Sequence, residues 1–333
     1  MHNKIHWKIS SSFDDCSILD KFLKNQKSYT FFQSSDFTTL YNENGFSTFN
    51  ISGMIENQMV ASCNILLLRE KIGIFSGLTS RALIIGGPIA INDSIYDEIL
   101  ELLINHLRKK AIYLQIRNIF PLSLEKKNIL KKHGMGYSSH YTILNEIIAD
   151  PLNGYHAGRR KNVRRSIKYE LKFKRLIEKN ELEIAGKLVK NTYKRILLPC
   201  PNVSFFTSTY PYALKNNLFI FGVFHEEKIV ASRFCLLNGE VLYDWYAGHD
   251  SEFNHLFPND FIVHGILEWA YENNFKLFDF GGAGNDQSAY GVREFKLKFG
   301  GKLVENGRNE IVFSPIKYKL GFIGFKLLRL IKK

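Results

Sequence analysis

The sequence predicts a mixed α/β protein in which one arrangement of strands and helices is used twice. Each half of the chain contains an antiparallel meander, then a helix, a strand, another helix and another strand, although the residues themselves do not repeat. The chain has 333 residues, which is enough for two domains. Hydrophobic residues make up 45% of it and charged residues 23%, which is typical of a globular protein and too apolar for a disordered one.

The first half shows the helical and strand spacings of apolar residues in alternation. A helix is expected after the turn of RALIIGGPIAI, because apolar residues from Ile95 to Leu107 recur at helical spacing, and Gly134 ends the following helix. The predicted order is helix SFDDCSILDKFLKNQ, strands FSTFNISGMIENQMVASCNILLL, strand RALIIGGPIAI, helix DSIYDEILELLINHLRKK, strand AIYLQIRNIF, helix LEKKNILKKHGMGY and strand HYTILNEI.

The second half repeats this order. The predicted elements are helix ELEIAGKLVKNTYKRIL, the three-strand meander LFIFGVFHEEKIVASRFCLLNGEVLYDWYAGH, helix DFIVHGILEWAYENN, strand KLFDFGG, a short helix YGVREFKLKFGG, and LVENGRNEIVF as a final strand or hairpin. Pro151, Asn153 and Gly154 mark a boundary between the halves. We therefore expect domains at 1–150 and 155–313 and a separate basic amphipathic helix at 314–333.

The charge of the chain predicts an anionic partner. Its net charge is +13, and much of the excess lies in GRRKNVRRSIKYELKFKR, where Val163, Ile167 and Leu171 predict a helix with a narrow apolar stripe. Like charges four residues apart oppose a helix unless an anion offsets them. A phosphate-rich ligand explains this density, and a solvated linker helix remains the alternative.

The tail SPIKYKLGFIGFKLLRLIKK predicts a helix with one apolar face and basic flanks. A basic helix of this kind suits a membrane interface, whereas an apolar stripe also suits docking on the protein core, and the sequence leaves both open. The apolar face comprises Ile316, Leu320, Ile323, Leu327, Leu330 and Ile331.

Several classes of protein are not supported by the sequence. No run approaches the ~18 apolar residues that span a bilayer, and the N-terminus lacks the apolar core of a signal peptide. The four cysteines form no closely spaced pair, so reduced thiols in a cytoplasmic protein are expected. His249, His255 and His264 lack metal-ligand spacing, and we interpret them as polar surface residues and expect no metal site.

The glycine-rich stretch FDFGGAGNDQSAYGVREFKLKFGG is a candidate ligand site. Gly282 and Gly284 give GxG, but Gln287 stands where a dinucleotide fingerprint needs its third glycine, and no GKS or GKT follows. The stretch therefore reads as a strand that ends in a glycine turn, followed by a short basic helix. Ligands of open α/β sheets gather at such strand ends.

These residues together resemble the Fem family of peptidoglycan-bridge aminoacyltransferases, whose domains are of the GNAT acyltransferase type. The resemblance rests on GRRKNVRRSIK, LYDWYAG, FPNDFIVHGILEWAYENNFKLFDFGGAG and YGVREFKLKFGG in the second half, and on FFQSSDF and IIGGPIA in the first. It implies two tandem GNAT-like domains with mixed, mostly antiparallel sheets flanked by helices. The long coiled-coil insertion of some family members has no counterpart in this chain.

The resemblance also implies an activity: transfer of an amino acid from aminoacyl-tRNA to an amine of a peptidoglycan precursor at the cytoplasmic face of the membrane. Its partners are then tRNA and an anionic membrane surface or lipid-linked precursor, with no tightly bound cofactor. Phe295 and Lys296 match the family's phenylalanine-lysine motif, which is implicated in holding the acyl donor.

The loop between the meander and the next helix bears on the identity of the donor. GNAT domains that use acetyl-CoA have an RxxGxG/A-type loop here, whose amides bind the pyrophosphate at the helix N-terminus. This chain has HDSEFNHLFPND, without glycine and with Asp250, Glu252 and Asp260, which would repel a pyrophosphate. The loop favours a charged tRNA as the donor, and a CoA donor bound differently remains the alternative.

The candidate residues divide by role. We expect Lys296 to contact the oxyanion or a donor phosphate with Arg293 in support, and Tyr290 or Asp279 to relay the amine proton. For Asp279, a structural role as a strand-end turn residue is the equal alternative. Trp245 and Tyr246 are expected either to line the cleft or to pack in the core. The expected phosphate-binding residues are Arg159, Arg160, Lys161 and Arg164.

Three functions are therefore compatible with the sequence. The first is a Fem-like aminoacyltransferase, with peripheral association on the inner face of the plasma membrane. The second is an N-acyltransferase that takes an acyl group from CoA or a carrier protein and modifies an amino sugar or lipid-linked glycan. The third is a non-catalytic protein that binds tRNA or membranes.

Overall fold

The protein forms two compact units. The structure, a computed structural model, describes residues 4–11, 16–26, 28–69, 79–285 and 291–331, without the side chains at 322 and 325–331. The first unit comprises Met1–Ser139 with Asn306–Lys333, and the second comprises His140–Glu305. These limits differ from the expected 1–150, 155–313 and 314–333. Residues 141–146 pair in the sheet of the second unit, and residues 308–312 pair in the sheet of the first.

The first unit begins with elements that run from the N-terminus to Ser138. They are β1 (His6–Ser10), α1 (Cys16–Lys24), a 3-10 turn (Phe31–Gln33), α2 (Ser35–Glu43), β2 (Ser47–Ile55), β3 (Gln58–Leu68), β4 (Arg81–Ile85), β5 (Ile89–Ala90), α3 (Asp93–Leu107), β6 (Tyr113–Arg117), α4 (Leu124–Lys132) and β7 (Gly136–Ser138).

The second unit follows as one continuous segment. Its elements are β8 (Tyr141–Glu146), a 3-10 turn (Pro151–Gly154), α5 (Ala157–Lys168), β9 (Lys172–Arg175), α6 (Lys179–Arg195), α7 (Val203–Thr207), α8 (Tyr210–Leu214), β10 (Leu218–His225), β11 (Lys228–Asn238), β12 (Val241–His249), a 3-10 turn (Ser251–Leu256), α9 (Pro258–Glu272), β13 (Leu277–Gly282), α10 (Gly291–Leu297) and β14 (Lys302–Glu305). The chain then returns to the first unit with β15 (Arg308–Val312) and α11 (Pro315–Ile331).

The two sheets have the same plan, so the predicted α/β class with one arrangement used twice is confirmed. In the first unit the order is β1-β2-β3-β4-β6-β15-β7, with β2, β3 and β4 antiparallel and β6 parallel to β4. In the second the order is β14-β8-β13-β12-β11-β10-β9, with β10, β11 and β12 antiparallel and β13 parallel to β12. The position that β15 takes in one sheet is taken by β8 in the other.

The predicted alternatives for LVENGRNEIVF need one correction. A hairpin is wrong, because β14 pairs with β8 in one sheet whereas β15 pairs with β6 and β7 in the other. The Asn306-Gly307 pair resembles a hairpin turn, and Gly307 does adopt a positive φ of 73°. Here, however, that turn separates two strands that belong to different units.

The predicted helix across the basic run is shorter than expected. Helix α5 ends at Lys168, because Glu170 adopts a left-handed φ of 57° and the Leu171 N–H donates to the Ser166 carbonyl. Residues Lys172–Arg175 then form β9, which pairs with β10. The predicted stripe through Ile167 and Leu171 is therefore wrong: Ile167 is exposed, and Leu171 packs into the core from beyond the helix end.

The core of the second unit fixes the sheet that carries the site. Helix α9 packs Ile262, Val263 and Ile266 into the same buried cluster as Cys235 of β11 and Leu242 of β12. Helix α6 lies close on the other side of the strands, where Ser232 donates to the Ala185 carbonyl. Strands β11 and β12 are thus held between helices, and their side chains have little freedom to move.

Candidate active site

The parallel strands β12 and β13 stop pairing in the middle of the sheet. Their ladder joins residues 241–243 to 277–279 and ends at the pair Tyr243 and Asp279. Beyond that pair, β12 continues to His249 along β11, and β13 continues to Gly282 along β8. The backbone carbonyls of the last β13 residues therefore have no β12 amide as a partner. They lie at the carboxyl ends of the two parallel strands, where ligands of α/β proteins bind.

A tight turn ends β13. Gly281 has a φ of 64°, and its N–H donates to Asp279 Oδ1 over 2.7 Å. The Thr142 hydroxyl donates to the same carboxylate and also contacts the Gly281 carbonyl at 3.1 Å. A Cβ atom at position 281 would lie 3.2 Å from the Asp244 carbonyl oxygen. Glycine is needed here both for the backbone conformation and for this close approach.

Lys296 of α10 donates hydrogen bonds to two of these β13 carbonyls. Its Nζ donates to the Phe280 carbonyl at 2.6 Å and to the Gly282 carbonyl at 2.9 Å. A lysine ammonium has three N–H groups, and in the described part of the chain the third has no acceptor. Burial lowers the pKa of Lys296 to about 8, although Asp244 and Asp279 act in the opposite direction. At neutral pH Lys296 is therefore a mostly charged donor, with one N–H that no acceptor among the described residues takes up.

Asp279 takes the expected place of a strand-end turn residue, and its expected role as a proton relay stays a prediction. Only 4% of the residue is exposed, and burial raises the pKa of its carboxyl to about 6, against the hydrogen bonds from Thr142 and Gly281 and the charge of Lys296. Its hydrogen bond to the Gly281 N–H makes it the strand-end turn residue. Its raised pKa and its electrostatic coupling to Lys296 make it part of the charged site.

A buried ion pair completes this site and was not predicted from the sequence. Arg233 of β11 and Asp244 of β12 bond to each other, and each side chain is only 6% exposed. In the described part of the chain, Arg233 Nε and Asp244 Oδ1 have no hydrogen-bond partner. Both charges act on the pKa of Lys296. The available signal was a charged residue in the middle of each apolar strand, ASRFCLL and VLYDWYAG.

Arg293 supports the backbone that follows β13. Its Nε donates to the Ala283 carbonyl at 2.8 Å, and a terminal nitrogen donates to the Asn285 carbonyl. The guanidinium also lies 5.4 Å from the centre of the Tyr141 ring. Arg293 thus ties α10 to the glycine segment, and its expected support of Lys296 in the reaction stays a prediction. Tyr290, the other candidate proton relay, lies outside the described residues.

The four expected phosphate-binding residues of α5 divide into two pairs. Arg159 bonds Asp260 of α9 at 2.5 Å and lies 4.2 Å from the centre of the Phe295 ring, and Arg160 donates to the Tyr155 carbonyl. Arg159 therefore joins α5 to α9, whereas Arg160 bonds the backbone just before α5. Lys161 and Arg164 are exposed and occupy neighbouring positions on one helix face. Only the second pair is placed to meet an anionic ligand without giving up a contact shown here.

The aromatic candidates of β12 pack mainly against helix α7. The Trp245 ring centre is 5.6 Å from that of Phe205, and the Tyr246 ring centre is 5.2 Å from that of Phe206. Both residues remain partly exposed. With Phe205 and Phe206 they form an aromatic cluster next to Asp244. Trp245 and Tyr246 therefore directly follow Asp244 on β12 and pack against aromatic rings while staying partly exposed.

The N-terminus of α9 offers few amides to a pyrophosphate. Phe257 has a φ of 59°, Pro258 has no N–H, and the Asp260 and Phe261 amides both donate to the Phe257 carbonyl. The Asp260 carboxylate lies in this first turn, where it accepts hydrogen bonds from Arg159 and Asn162. The anion-binding capacity of this helix end is thus used by the protein itself.

One of the three histidines departs from the predicted surface location. His264 is buried, its Nδ1 lies 3.4 Å from the Tyr155 hydroxyl, and burial lowers the pKa of its ring. The prediction for His264 was wrong because this residue lies on the side of α9 that faces the core of the second unit. Within residues that the structure describes, no group of three or more His, Cys, Asp and Glu is placed to hold a metal ion.

The segment that carries these residues matches a family model. Residues 157–296 match the model Acetyltransf_6, described as an acetyltransferase (GNAT) domain, and this range contains α5, the meander, α9, β13 and Lys296. The second unit thus has the GNAT acyltransferase fold. A comparison with curated proteins by sequence gives no match.

Solved structures show the same tandem arrangement. FemX superimposes with a TM-score of 0.69 at 16% identity, covering 94% of this chain and 99% of that one. The C-terminal domain of a putative lysylphosphatidylglycerol synthetase from Agrobacterium fabrum gives 0.59 at 12% identity, covering 95% and 96%. A tandem GNAT protein from the clavulanic acid biosynthesis pathway gives 0.55 at 9% identity, covering 94% and 99%. The chain therefore has the Fem-type fold of two GNAT-like units.

Replacing Asp279 with Asn is expected to remove one pH-dependent contribution to stability. The folded-state pKa of about 6 exceeds the ordinary value of 3.8, so this carboxyl favours the folded state at low pH, and that contribution is lost as the pH rises through about 6. Relative to wild type, the Asn variant should therefore become more stable between pH 4.5 and 7.5. Urea unfolding at both values measures the difference.

Asp250→Asn is the matched control in the same unit. Its hydrogen bond to Lys228 lowers the pKa of the Asp250 carboxyl below 3.8, so its contribution is present above that value and lost only at lower pH. Its stability difference from wild type should be constant from pH 4.5 to 7.5. An equally constant difference for Asp279→Asn would show that the Asp279 carboxyl is not perturbed by burial.

Proposed function

We propose that the protein is an acyltransferase that moves an aminoacyl group from aminoacyl-tRNA to an amine of a peptidoglycan precursor. One observation carries the proposal: inside a GNAT-type fold, the Lys296 ammonium donates to the Phe280 and Gly282 carbonyls and has one N–H without an acceptor among the described residues. A fixed cation at this place can stabilise negative charge that develops on an acyl carbonyl oxygen or on a donor phosphate.

The reaction itself needs alignment more than covalent help. The neutral amine nitrogen attacks the ester carbonyl carbon, a C–N bond forms, and the bond from that carbon to the ribose oxygen breaks. The amine gives up one proton and the ribose oxygen gains one, so no external acid or base is consumed. Lys296 contacts the negative oxygen in this scheme, and Asp279 acts through Lys296 and the Gly281 turn as a positioning residue.

The helix end at α9 supports a donor other than conventionally bound CoA. Pro258 lacks an N–H, the Asp260 and Phe261 amides are bonded to the Phe257 carbonyl, and Asp260 places a carboxylate in the first turn. A CoA pyrophosphate at this position would compete with that carboxylate for Arg159. An aminoacyl-tRNA does not require this helix end.

The exposed basic face of α5 supports tRNA as the carrier. Lys161 and Arg164 lie on the exposed side of the helix with Arg165 and Lys168, at spacings of three and four residues. Rows of this kind contact successive phosphates of a nucleic-acid backbone. One neighbour in fold is named a putative lysylphosphatidylglycerol synthetase, so the neighbours include a protein whose name denotes an aminoacyl product.

A second candidate is an N-acyltransferase that uses an acyl thioester on an amino sugar or lipid-linked glycan. The match of residues 157–296 to an acetyltransferase model favours it. The thioester would then be bound elsewhere than at the α9 N-terminus. The same Lys296 contact would serve its carbonyl oxygen.

The experiment supplies both donors separately. Purified protein is incubated with a membrane-precursor extract and either radiolabelled aminoacyl-tRNA or radiolabelled acetyl-CoA, with Lys296→Ala protein in parallel. Label that moves from tRNA to an amide of the precursor supports the first function, and label from acetyl-CoA supports the second. Transfer from neither donor, with tRNA binding retained, contradicts both and favours a non-catalytic binding protein.

A further inference from the structure

Helix α11 has an apolar face that the described residues leave exposed. Ile316, Leu320 and Ile323 are 76%, 51% and 54% exposed, whereas large aliphatic side chains of this kind are normally buried. Their spacing of four and three residues places them along one stripe of the helix. The sequence continues the same spacing to Leu327, Leu330 and Ile331.

The opposite side of α11 is the one that contacts the protein. The Tyr318 hydroxyl donates to Glu310 Oε1 at 2.8 Å, and its ring centre lies 5.2 Å from that of Tyr113. Tyr318 is two residues from both Ile316 and Leu320, which is more than half a turn in an α-helix. The contact through Tyr318 therefore turns the apolar stripe away from the β15 and β6 strands that hold the helix.

The charges of the segment select among possible occupants of this stripe. Residues 315–333 contain six lysines and arginines and no acid, and Lys317 and Lys319 are exposed beside the stripe. A second copy of the same helix would bring two clusters of positive charge together. An anionic phospholipid surface is attracted by them instead, and its acyl chains can cover the stripe.

We propose that α11 lies flat on an anionic phospholipid membrane, with Ile316, Leu320 and Ile323 at the boundary between headgroups and acyl chains. Lys317 and Lys319 then contact lipid phosphates on either side of the stripe. This is a surface contact rather than a span: among the described residues, no helix is long and apolar enough to cross a bilayer. The proposal concerns this helix alone and does not depend on which acyl donor or acceptor the protein uses.

The test is cosedimentation of the full chain with vesicles. Wild type is mixed with vesicles of phosphatidylglycerol and phosphatidylcholine and with vesicles of phosphatidylcholine alone, at low and high salt. The triple variant Ile316→Ser, Leu320→Ser, Ile323→Ser should bind the anionic vesicles about tenfold more weakly or worse, because binding scales with the apolar area inserted. Lys317→Gln with Lys319→Gln should weaken binding and reduce its salt dependence.

Leu124→Ser is the matched control, because Leu124 is 69% exposed on α4 of the same unit and outside the stripe. It should bind vesicles as wild type does. The proposal is overturned if wild type fails to bind anionic vesicles, or if the triple variant binds them equally well. It is also overturned if sedimentation velocity shows a dimer that the triple variant dissolves. Transfer to a water-soluble amine, if retained by the triple variant, separates this result from a failure of the proposed function.

Discussion

Replacing Lys296 with Ala is expected to lower turnover by about a hundred- to a thousandfold while leaving the protein folded. The ammonium is bonded at the end of β13, and in the proposed reaction the N–H that has no acceptor among the described residues stabilises negative charge during transfer. The carbonyls of Phe280 and Gly282 lose a donor, but water can replace it because Lys296 is only partly buried. Single-turnover rates with saturating donor, together with an unfolding curve, measure both effects.

The pH dependence separates a charged role for Lys296 from a purely spatial one. If the ammonium is the active form, wild-type turnover should fall as the pH rises through about 8, where burial places the pKa of Lys296. Lys296→Arg keeps the charge at every accessible pH, so any activity it retains should lack this decline.

Lys298→Ala is the matched control, because that lysine lies two residues away and is exposed. It should leave both turnover and the pH profile unchanged. Wild-type turnover in Lys296→Ala would remove Lys296 from the reaction and with it the proposed site.

Much of the fold was predictable because its signals are local. The meander LFIFGVFHEEKIVASRFCLLNGEVLYDWYAGH gives three strands at 218–225, 228–238 and 241–249, as its alternation and turn residues predict. The exchange of β8 and β15 between the units was not predictable in this way. Each of these strands pairs with partners far away in the sequence, and a short apolar run carries no information on which sheet it joins.

The end of α5 and the start of α9 were also difficult to predict, because each follows from an unusual backbone conformation. Helix α5 ends at a left-handed Glu170, and α9 begins after a left-handed Phe257. Sequence patterns mark left-handed positions by glycine or asparagine, so a glutamate and a phenylalanine there give no warning. Leu171 is buried just after the first of these positions, and Asp260 pairs with Arg159 just after the second.

The candidate site shows the same division. Lys296, Arg293 and Asp279 lie on one glycine-rich segment and were found from it, and the structure brings all three to the end of β13. Arg159 was expected to bind phosphate, but its partner Asp260 is 101 residues away, and only the folded chain shows that the two are paired. Arg233 and Asp244 were missed for the opposite reason: their neighbours in sequence predict buried strands, and a charge there is unexplained until its partner is known.

Replacing Arg233 with Met is expected to destabilise the protein by about 3–5 kcal/mol, because it leaves the buried Asp244 carboxylate without its counter-charge. Asp244→Leu should have a similar cost, since both side chains are only 6% exposed. Changing both together, Arg233→Met with Asp244→Leu, should recover most of the lost stability, because a buried ion pair contributes little net free energy compared with apolar residues of similar size. Urea unfolding of the two single variants and the double variant gives the coupling directly.

The double variant also decides whether this ion pair serves the reaction or only the fold. Of the two charges, Asp244 has the larger effect on the pKa of Lys296 and raises it, whereas Arg233 lowers it. Removing both should therefore lower the pKa of Lys296 below about 8, so that a smaller fraction of the protein carries the ammonium at neutral pH. A folded double variant should then lose turnover at pH 7.5 and regain it at lower pH. The fall in turnover that wild type shows near pH 8 should move to lower pH by as much as the pKa of Lys296 is lowered. An unshifted pH profile in a stable double variant would show that the pair is structural, and that the charge of Lys296 is set by burial and Asp279 alone.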